Sequence, residues 1–256
     1  MKRTKVLKKS KEIMVITGAG GFIGGRLAQR AKAAGYEVIG IDQQKTIRKL
    51  TQLKKKKYLD HYFTGDISSP NTFETFNKTD LSQKKISVLI NCAGGSGNAF
   101  SGLGNFENFH LLISSNLYTA WNACSYFVPK MIISGGGRIV NFSSAMATIG
   151  STNGTAYCTA KASILGFSYH LAIFGAPHNI LVNSVSPSHI EGSPRHHSFF
   201  KSPAGKAFIQ NKMPMKKLCS TKDICDSVLF LASSENKAIT GQNFMVDGGM
   251  SLLGIG

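Results

Sequence analysis

The chain has 256 residues, 30 of them Lys or Arg and 13 Asp or Glu, for a formal net charge of +17. Its 42% hydrophobic content is enough for a buried core and excludes a disordered chain. The charge bears on solubility and encounter rates rather than on fold. It is partly local, in a basic arm over residues 1–12 and in the run Lys54 to Lys57. No aromatic-basic interleaving accompanies it, so nucleic acid is not an expected partner.

Met14 to Gly18 reads as a first strand, and Gly21 to Ala34 as a helix closed by Gly35. Phe22, Ile23, Leu27, Ala28 and Ala31 share one face of that helix. Glu37 to Asp42 is a second strand and Tyr58 to Gly65 a third, with Ser69-Pro70 as cap and first position of a short helix. Ser87 to Gly94 is near-continuously apolar, as suits a strand buried on both faces. A long helix covers Phe106 to Ile133. The strand Arg138 to Ser144, the helix Ala156 to Phe174 and the strand Ile180 to Ser186 follow. After Pro187 the pattern becomes irregular, basic and aromatic to about Met213. A helix from Thr221 to Ser233 and a strand from Asn243 to Asp247 end the chain.

Strands alternating with helices predict one α/β domain over 13–256, a doubly wound parallel sheet flanked by helices. Long loops in compact domains are often lids, and 188–213 follows a strand, so it is read as a lid over the ligand crevice. Five cysteines without a Cys-x-x-Cys pair read as reduced thiols of a cytoplasmic protein rather than as disulfides or a metal site. No membrane helix is expected, because the longer apolar runs are interrupted by Asn, Lys, His or Gly. No apolar signal core follows the basic arm.

Chemistry concentrates in two places. Gly18, Gly20, Gly21 and Gly24 lie between the first strand and helix, where glycine lets the backbone approach a pyrophosphate at a helix N-terminus. Asp42 ends the second strand, 18 residues beyond Gly24. A carboxylate there accepts bonds from an adenosine ribose and repels a 2′-phosphate, which favours NAD over NADP. Nearby Lys45 and Arg48 are the opposing signal. Tyr157 and Lys161 stand four apart on one helix face, and an adjacent ammonium favours the phenolate. Such a pair can move a proton to or from an alcohol oxygen. Ser144 ends the preceding strand, 13 residues before Tyr157.

In this order the sequence resembles the short-chain dehydrogenase/reductase family, nearly end to end. The landmarks are Thr17-Gly18…Gly24, Asp66-Ile67, Asn91-Cys92-Ala93-Gly94, Asn116, Ser143-Ser144, Tyr157-x-x-x-Lys161, Asn183-x-x-x-Pro187 and Thr240-Gly241…Asp247-Gly248-Gly249. The resemblance implies a Rossmann-type fold and an oxidoreductase of secondary alcohols and ketones. It makes Tyr157 the general acid/base, with Lys161 lowering its pKa and holding the nicotinamide ribose. Ser144 would orient the substrate oxygen, and Asn116 would position a water linked to Lys161. Cofactor contacts would come from Gly18, Gly20, Gly21, Phe22, Ile23, Asp42, Asp66, Ile67, Asn91, Ala93, Gly94, Tyr157, Lys161, Pro187 and Ile190. No metal is implied, and a homotetramer or dimer is.

Three positions depart from the family pattern. Phe22 stands where the classical subfamily has Gly, and the spacing Gly18-x-x-Gly21-x-x-Gly24 is common in the extended subfamily, which includes sugar-nucleotide epimerases. Ser188 replaces the Gly after Pro187, and the usual Thr is missing at Gly192. Other readings are a 3-oxoacyl-carrier-protein reductase using NADPH, an epimerase-like enzyme, and a non-catalytic NAD-binding protein. On Arg195, His196 and His197 of the lid, an anion contact or a metal site stands against ordinary solvated loop.

Overall fold

The strands alternate in side-chain direction, and that alternation builds the molecule. In β1 (Ile13–Thr17), Met14 and Ile16 enter one apolar layer while Val15 enters the other. The same split recurs in β4 (Ile86–Asn91), where Val88 and Ile90 face one layer and Leu89 the other. A strand buried on both faces needs helices on both faces. The computed structural model describes residues 11–96, 104–150 and 154–253. The expected basic arm lies almost wholly outside them.

Seven parallel strands form one sheet in the order β3-β2-β1-β4-β5-β6-β7. The remaining strands are β2 (Glu37–Asp42), β3 (His61–Thr64), β5 (Gly137–Phe142), β6 (Ile180–Pro187) and β7 (Asn243–Val246). The order reverses between β1 and β4, and ligands of such sheets bind at the carboxyl ends beside the reversal.

One face carries α1 (Phe22–Ala33) and α10 (Thr221–Ala232). Leu27, Ala28 and Ala31 pack there with Ile224, Cys225 and Val228. α1 ends at Gly35 (φ +95°), where the Tyr36 N–H donates to the Ala31 carbonyl and the Gly35 N–H to that of Lys32. This closure needs a left-handed residue, which glycine supplies without strain. α10 starts with Ser220 and Asp223 capping each other.

The opposite face holds α3 (Asn71–Asn77) and α5 (Thr119–Ile133), with Phe73, Phe76, Phe127 and Met131 in its core. α7 (Thr155–Gly175) lies along β6. The expected helix Phe106 to Ile133 is α4 (Phe106–Ile113) and α5 joined by a π-helical turn at Ser114–Tyr118. Helix α2 (Ile47–Lys55) follows β2, and a short α6 (Met146–Ile149) follows β5.

The segment after β6 differs from its expectation. It is not irregular: α8 (His197–Lys201) and α9 (Pro203–Lys212) lie within it. Ser202 caps α9 by accepting the Gly205 N–H at 3.2 Å, and Pro203 opens that helix. Phe200 and Phe208 pack against His189 with ring centroids 5.0 and 5.2 Å away. These contacts hold two helices too short to be stable alone.

Candidate active site

A cavity of about 740 Å³ opens above the carboxyl ends of β1, β2, β4, β5 and β6. It runs from Asp42 and Lys45 at one end to Arg195 and His196 at the other. That size and position suit a cofactor-sized ligand.

The glycine turn forms its floor. Gly18 has φ +68°, and a Cβ there would come 2.8 Å from the Ala93 backbone. A Cβ on Gly24 would overlap the Gly18 carbonyl oxygen, so the turn and α1 touch backbone to backbone. Gly21 sits at the N-cap of α1 with no side chain to cap it, and no acidic residue occupies the first turn. Gly20, Gly21, Phe22 and Ile23 line the cavity beside this helix end. An uncapped N-terminus presents donors and partial positive charge to an anion. The residues present therefore fit a dinucleotide's pyrophosphate.

Asp42 is fixed by the same turn. The Gly20 N–H donates to its Oδ2 at 2.8 Å and the Gln43 N–H to its Oδ1 at 2.7 Å. Asp66 and Ile67 line the wall nearby. Lys45, Thr46 and Lys49 join them. Thr46 and Lys49 were not singled out from the sequence, although Lys49 stands one helical turn after Lys45.

Ala93 and Gly94 line the middle of the cavity, where the Ala93 N–H donates to Thr17 Oγ1 at 3.1 Å. Asn91 does not. Its side chain lies inside the sheet, where Nδ2 donates to Asn141 Oδ1 at 2.8 Å and to Cys124 Sγ at 3.2 Å. Asn91 and Asn141 are register partners on β4 and β5, so the amides meet across the strands. The Asn91 side chain thus faces Asn141 and Cys124 rather than the cavity wall, and its Oδ1 is buried without a hydrogen-bond partner among the described residues.

Asn116 also stays off the wall. It lies in the π-helical turn, and its Nδ2 donates to the carbonyls of Leu112 and Gly95, both at 2.9 Å. Its own carbonyl accepts from Thr119 Oγ1 at 2.9 Å, and Thr119 and Gly95 do line the cavity.

Ser144, Tyr157 and Lys161 come together at the far end. Ser143 Oγ donates to the Lys161 carbonyl at 2.8 Å and pins α7 to the end of β5. Ser144 Oγ accepts the Met146 N–H at 3.2 Å and lies with Tyr157 on the cavity wall. Burial raises the Tyr157 pKa above the ordinary phenol value, while the nearby Ser144 hydroxyl and the charge of Arg195 oppose the rise. Burial lowers that of Lys161 to about 8. Lys161 Nζ donates to the Phe142 carbonyl at 2.9 Å. The charge of Arg195 thus reaches the phenol in addition to the Lys161 that the spacing leads one to expect there. An ammonium losing water takes the nearest strand-end carbonyl. Cys92, beside Lys161, has its thiol pushed up to about 12 by burial and offers no counter-charge.

Pro187 and Ile190 line the exit of β6, where Ile190 bridges to Cys219. His189, which the sequence did not single out, faces the cavity between them. Burial and the neighbouring His196 pull its pKa down to about 4. Among the described residues no group of three or more His, Cys, Asp or Glu could hold a metal. No described helix is long and apolar enough to cross a membrane.

Residues 18–251 match the family model described as enoyl-(acyl carrier protein) reductase. The chain is 31% identical over 252 residues to a 3-oxoacyl-acyl-carrier-protein reductase of Buchnera aphidicola, with 95% of this chain and 99% of that one covered. It is 26% identical to an acetoacetyl-CoA reductase of Acinetobacter sp., with 93% and 97% covered. A short-chain type dehydrogenase/reductase from Mycobacterium ulcerans superposes with a TM-score of 0.86 at 22% identity, covering 94% of this chain and 90% of that one. The match spans the glycine turn, the strand-end residues and the Ser144–Tyr157 corner together, and the chain belongs to the short-chain dehydrogenase/reductase family, oxidoreductases of CH–OH and keto groups.

Proposed function

We propose that this protein interconverts a secondary alcohol and a ketone with NAD(H), with Tyr157 as general acid/base. One observation carries the reading: Ser144, Tyr157 and Lys161 share a cavity whose other end holds an uncapped helix N-terminus and Asp42. The nicotinamide ring, when bound, gives or accepts the hydride.

The chain's own residues do the rest. Gly18, Gly20, Gly21, Phe22 and Ile23 would hold the pyrophosphate, and Asp42 the adenosine ribose. Asp66 and Ile67 would flank the adenine, with Ala93, Gly94, Pro187 and Ile190 along the middle and nicotinamide end. Lys161 would hold the second ribose. Tyr157 carries its proton at neutral pH because burial favours the neutral phenol. In reduction it donates that proton to the carbonyl oxygen, and in oxidation its phenolate takes the proton back. Ser144, on the same cavity wall, offers a second donor to the oxygen as charge develops on it. Asn116 bonds Gly95 and Leu112, and through its carbonyl Thr119, and would keep the loop after β4 and a water near Lys161 in place.

Asp42 supports NAD over NADP, since a carboxylate repels a 2′-phosphate. A second reading, an NADPH-dependent 3-oxoacyl-carrier-protein reductase, is favoured by the relatives' names and by Lys45 and Lys49 beside Asp42. Assays of NADH and NADPH turnover with secondary alcohols, ketones and 3-oxoacyl thioesters separate the two. Alcohol oxidation with NAD supports the first reading, and thioester reduction confined to NADPH overturns it.

Large apolar side chains exposed on α4, α5 and α7, namely Phe106, Trp121, Ile173 and Phe174, support a homotetramer or dimer formed through these helices. The five unpaired cysteines suit a cytoplasmic setting. The basic residues 1–12 and the single domain 13–256 complete the proposed organisation.

A further inference from the structure

The two ends of the cavity differ in their carboxylates: the adenosine end holds two beside Lys45 and Lys49, and the opposite end holds none among the described residues. Asp42 and Asp66 stand above β2 and β3, at the adenosine end. Above β5 and β6, no carboxylate lines the cavity among the described residues. The cations there are Lys161 and Arg195.

Arg195 lies between β6 and α8, exposed at the rim where a substrate can reach it. Its charge is felt at the Tyr157 hydroxyl, so it stands within Coulombic reach of the reacting oxygen. The neighbouring histidines do not compete for an anion. His189 is boxed in by Phe200, Phe208 and His196 and stays neutral. His196 is held below its ordinary value by burial and by Arg195 itself. A guanidinium presents a planar fork of donors that matches a carboxylate with two parallel bonds.

We propose that Arg195 is the specificity-determining residue of this site and receives a substrate carboxylate a few bonds from the carbon bearing the reacting oxygen. The substrate class is then a short hydroxy acid and its keto acid. The carboxylate takes no part in hydride or proton transfer. It places the carbinol against Tyr157 and Ser144, and it ties the segment carrying α8 to the ligand. The inference rests on the reading of Tyr157 and Ser144 as the oxygen site, so its test includes a readout that needs no turnover.

Calorimetric titration with butyrate and with butyramide, its neutral isostere, provides that readout in the presence of NAD. The wild-type protein should bind butyrate about tenfold or more tighter than butyramide, the scale of a charge-assisted pair. Arg195→Ala should abolish the preference and leave butyramide binding unchanged, while Arg195→Lys should keep part of it. Equal affinity for the two ligands in the wild type, or equal weakening of both by Arg195→Ala, overturns the inference. Oxidation of 3-hydroxybutyrate and 2-butanol is measured in parallel. If butyrate selectivity holds and no alcohol is oxidised, the carboxylate site stands and the dehydrogenase reading fails. If both alcohols are oxidised equally well and butyrate shows no preference, the reading stands and the role of Arg195 fails.

Discussion

The Gly20 N–H donates to Asp42 Oδ2 at 2.8 Å, joining the glycine turn after β1 to the end of β2. With Gln43 N–H on Oδ1, each carboxylate oxygen is anchored by a backbone donor and keeps lone pairs for a ribose hydroxyl. Asp42→Asn keeps an acceptor and removes the charge. It should cut the ratio of kcat/KM for NAD over NADP by about tenfold or more, the scale of one lost repulsion between close charges. An unchanged ratio in steady-state assays would remove Asp42 from cofactor selection.

Gly24 and Gly25 are neighbours on α1 with opposite expected responses. At Gly24 a Cβ overlaps the Gly18 carbonyl, which is backbone and cannot rotate away. Gly24→Ala should lower stability by about 2 kcal/mol or more and weaken cofactor binding, as overpacking against a fixed wall does. At Gly25 the nearest atoms lie at 3.5 to 3.8 Å, ordinary contact distance. Gly25→Ala should raise stability by about 0.5–1 kcal/mol through helix propensity. Thermal unfolding of both variants checks the pair.

Lys161 opposes its own function energetically. Its folded pKa of about 8 lies below the ordinary 10.5, so the fold favours the neutral amine. The ammonium is therefore a stability cost below pH 8, and the cost is relieved as pH rises from about 8 toward 10.5. The shift corresponds to roughly 3 kcal/mol, less about 1 for the donor lost by the Phe142 carbonyl. Lys161→Met should thus raise Tm at pH 7 by a few degrees while lowering turnover. A lower Tm would show that the buried ammonium is better compensated than its surroundings indicate.

The same groups set a pH profile. Tyr157 holds its proton through neutrality, and Lys161 loses its charge above about pH 8. kcat/KM for ketone reduction should be level below pH 8 and fall above it. Oxidation, which needs the phenolate, should rise with pH through neutrality. A reduction rate that climbs from pH 7 to 9 would contradict these assignments.

The strands and the crevice were legible in the sequence because period and spacing are local signals, and the Ser144, Tyr157 and Lys161 corner was legible through the resemblance to the short-chain dehydrogenase/reductase family. Met14, Val15 and Ile16 alternate between layers, and Gly35 stands where α1 must close. What was not legible depends on partners distant in the chain. Asn91 is an amide at a strand end, and only the register of β4 with β5 shows Asn141 beside it. The helices α8 and α9 take their order from His189, Phe200 and Phe208, which the sequence does not mark as neighbours. The cation beside Tyr157 is likewise Arg195, from a segment that folds back over the site, and not only the residue one helical turn away.

The most direct test of the central claim is Tyr157→Phe, which removes one hydroxyl and leaves the ring that packs beside Leu112, Ala156 and Ala160. NADH binding, read by its fluorescence, should stay within about threefold of wild type, because the glycine turn and the other cofactor contacts are left in place. Turnover of the best alcohol or ketone should fall by about 100-fold or more, the contribution of a positioned acid/base. Intact cofactor binding with lost turnover is the predicted result, and turnover surviving the substitution would contradict the assignment of Tyr157.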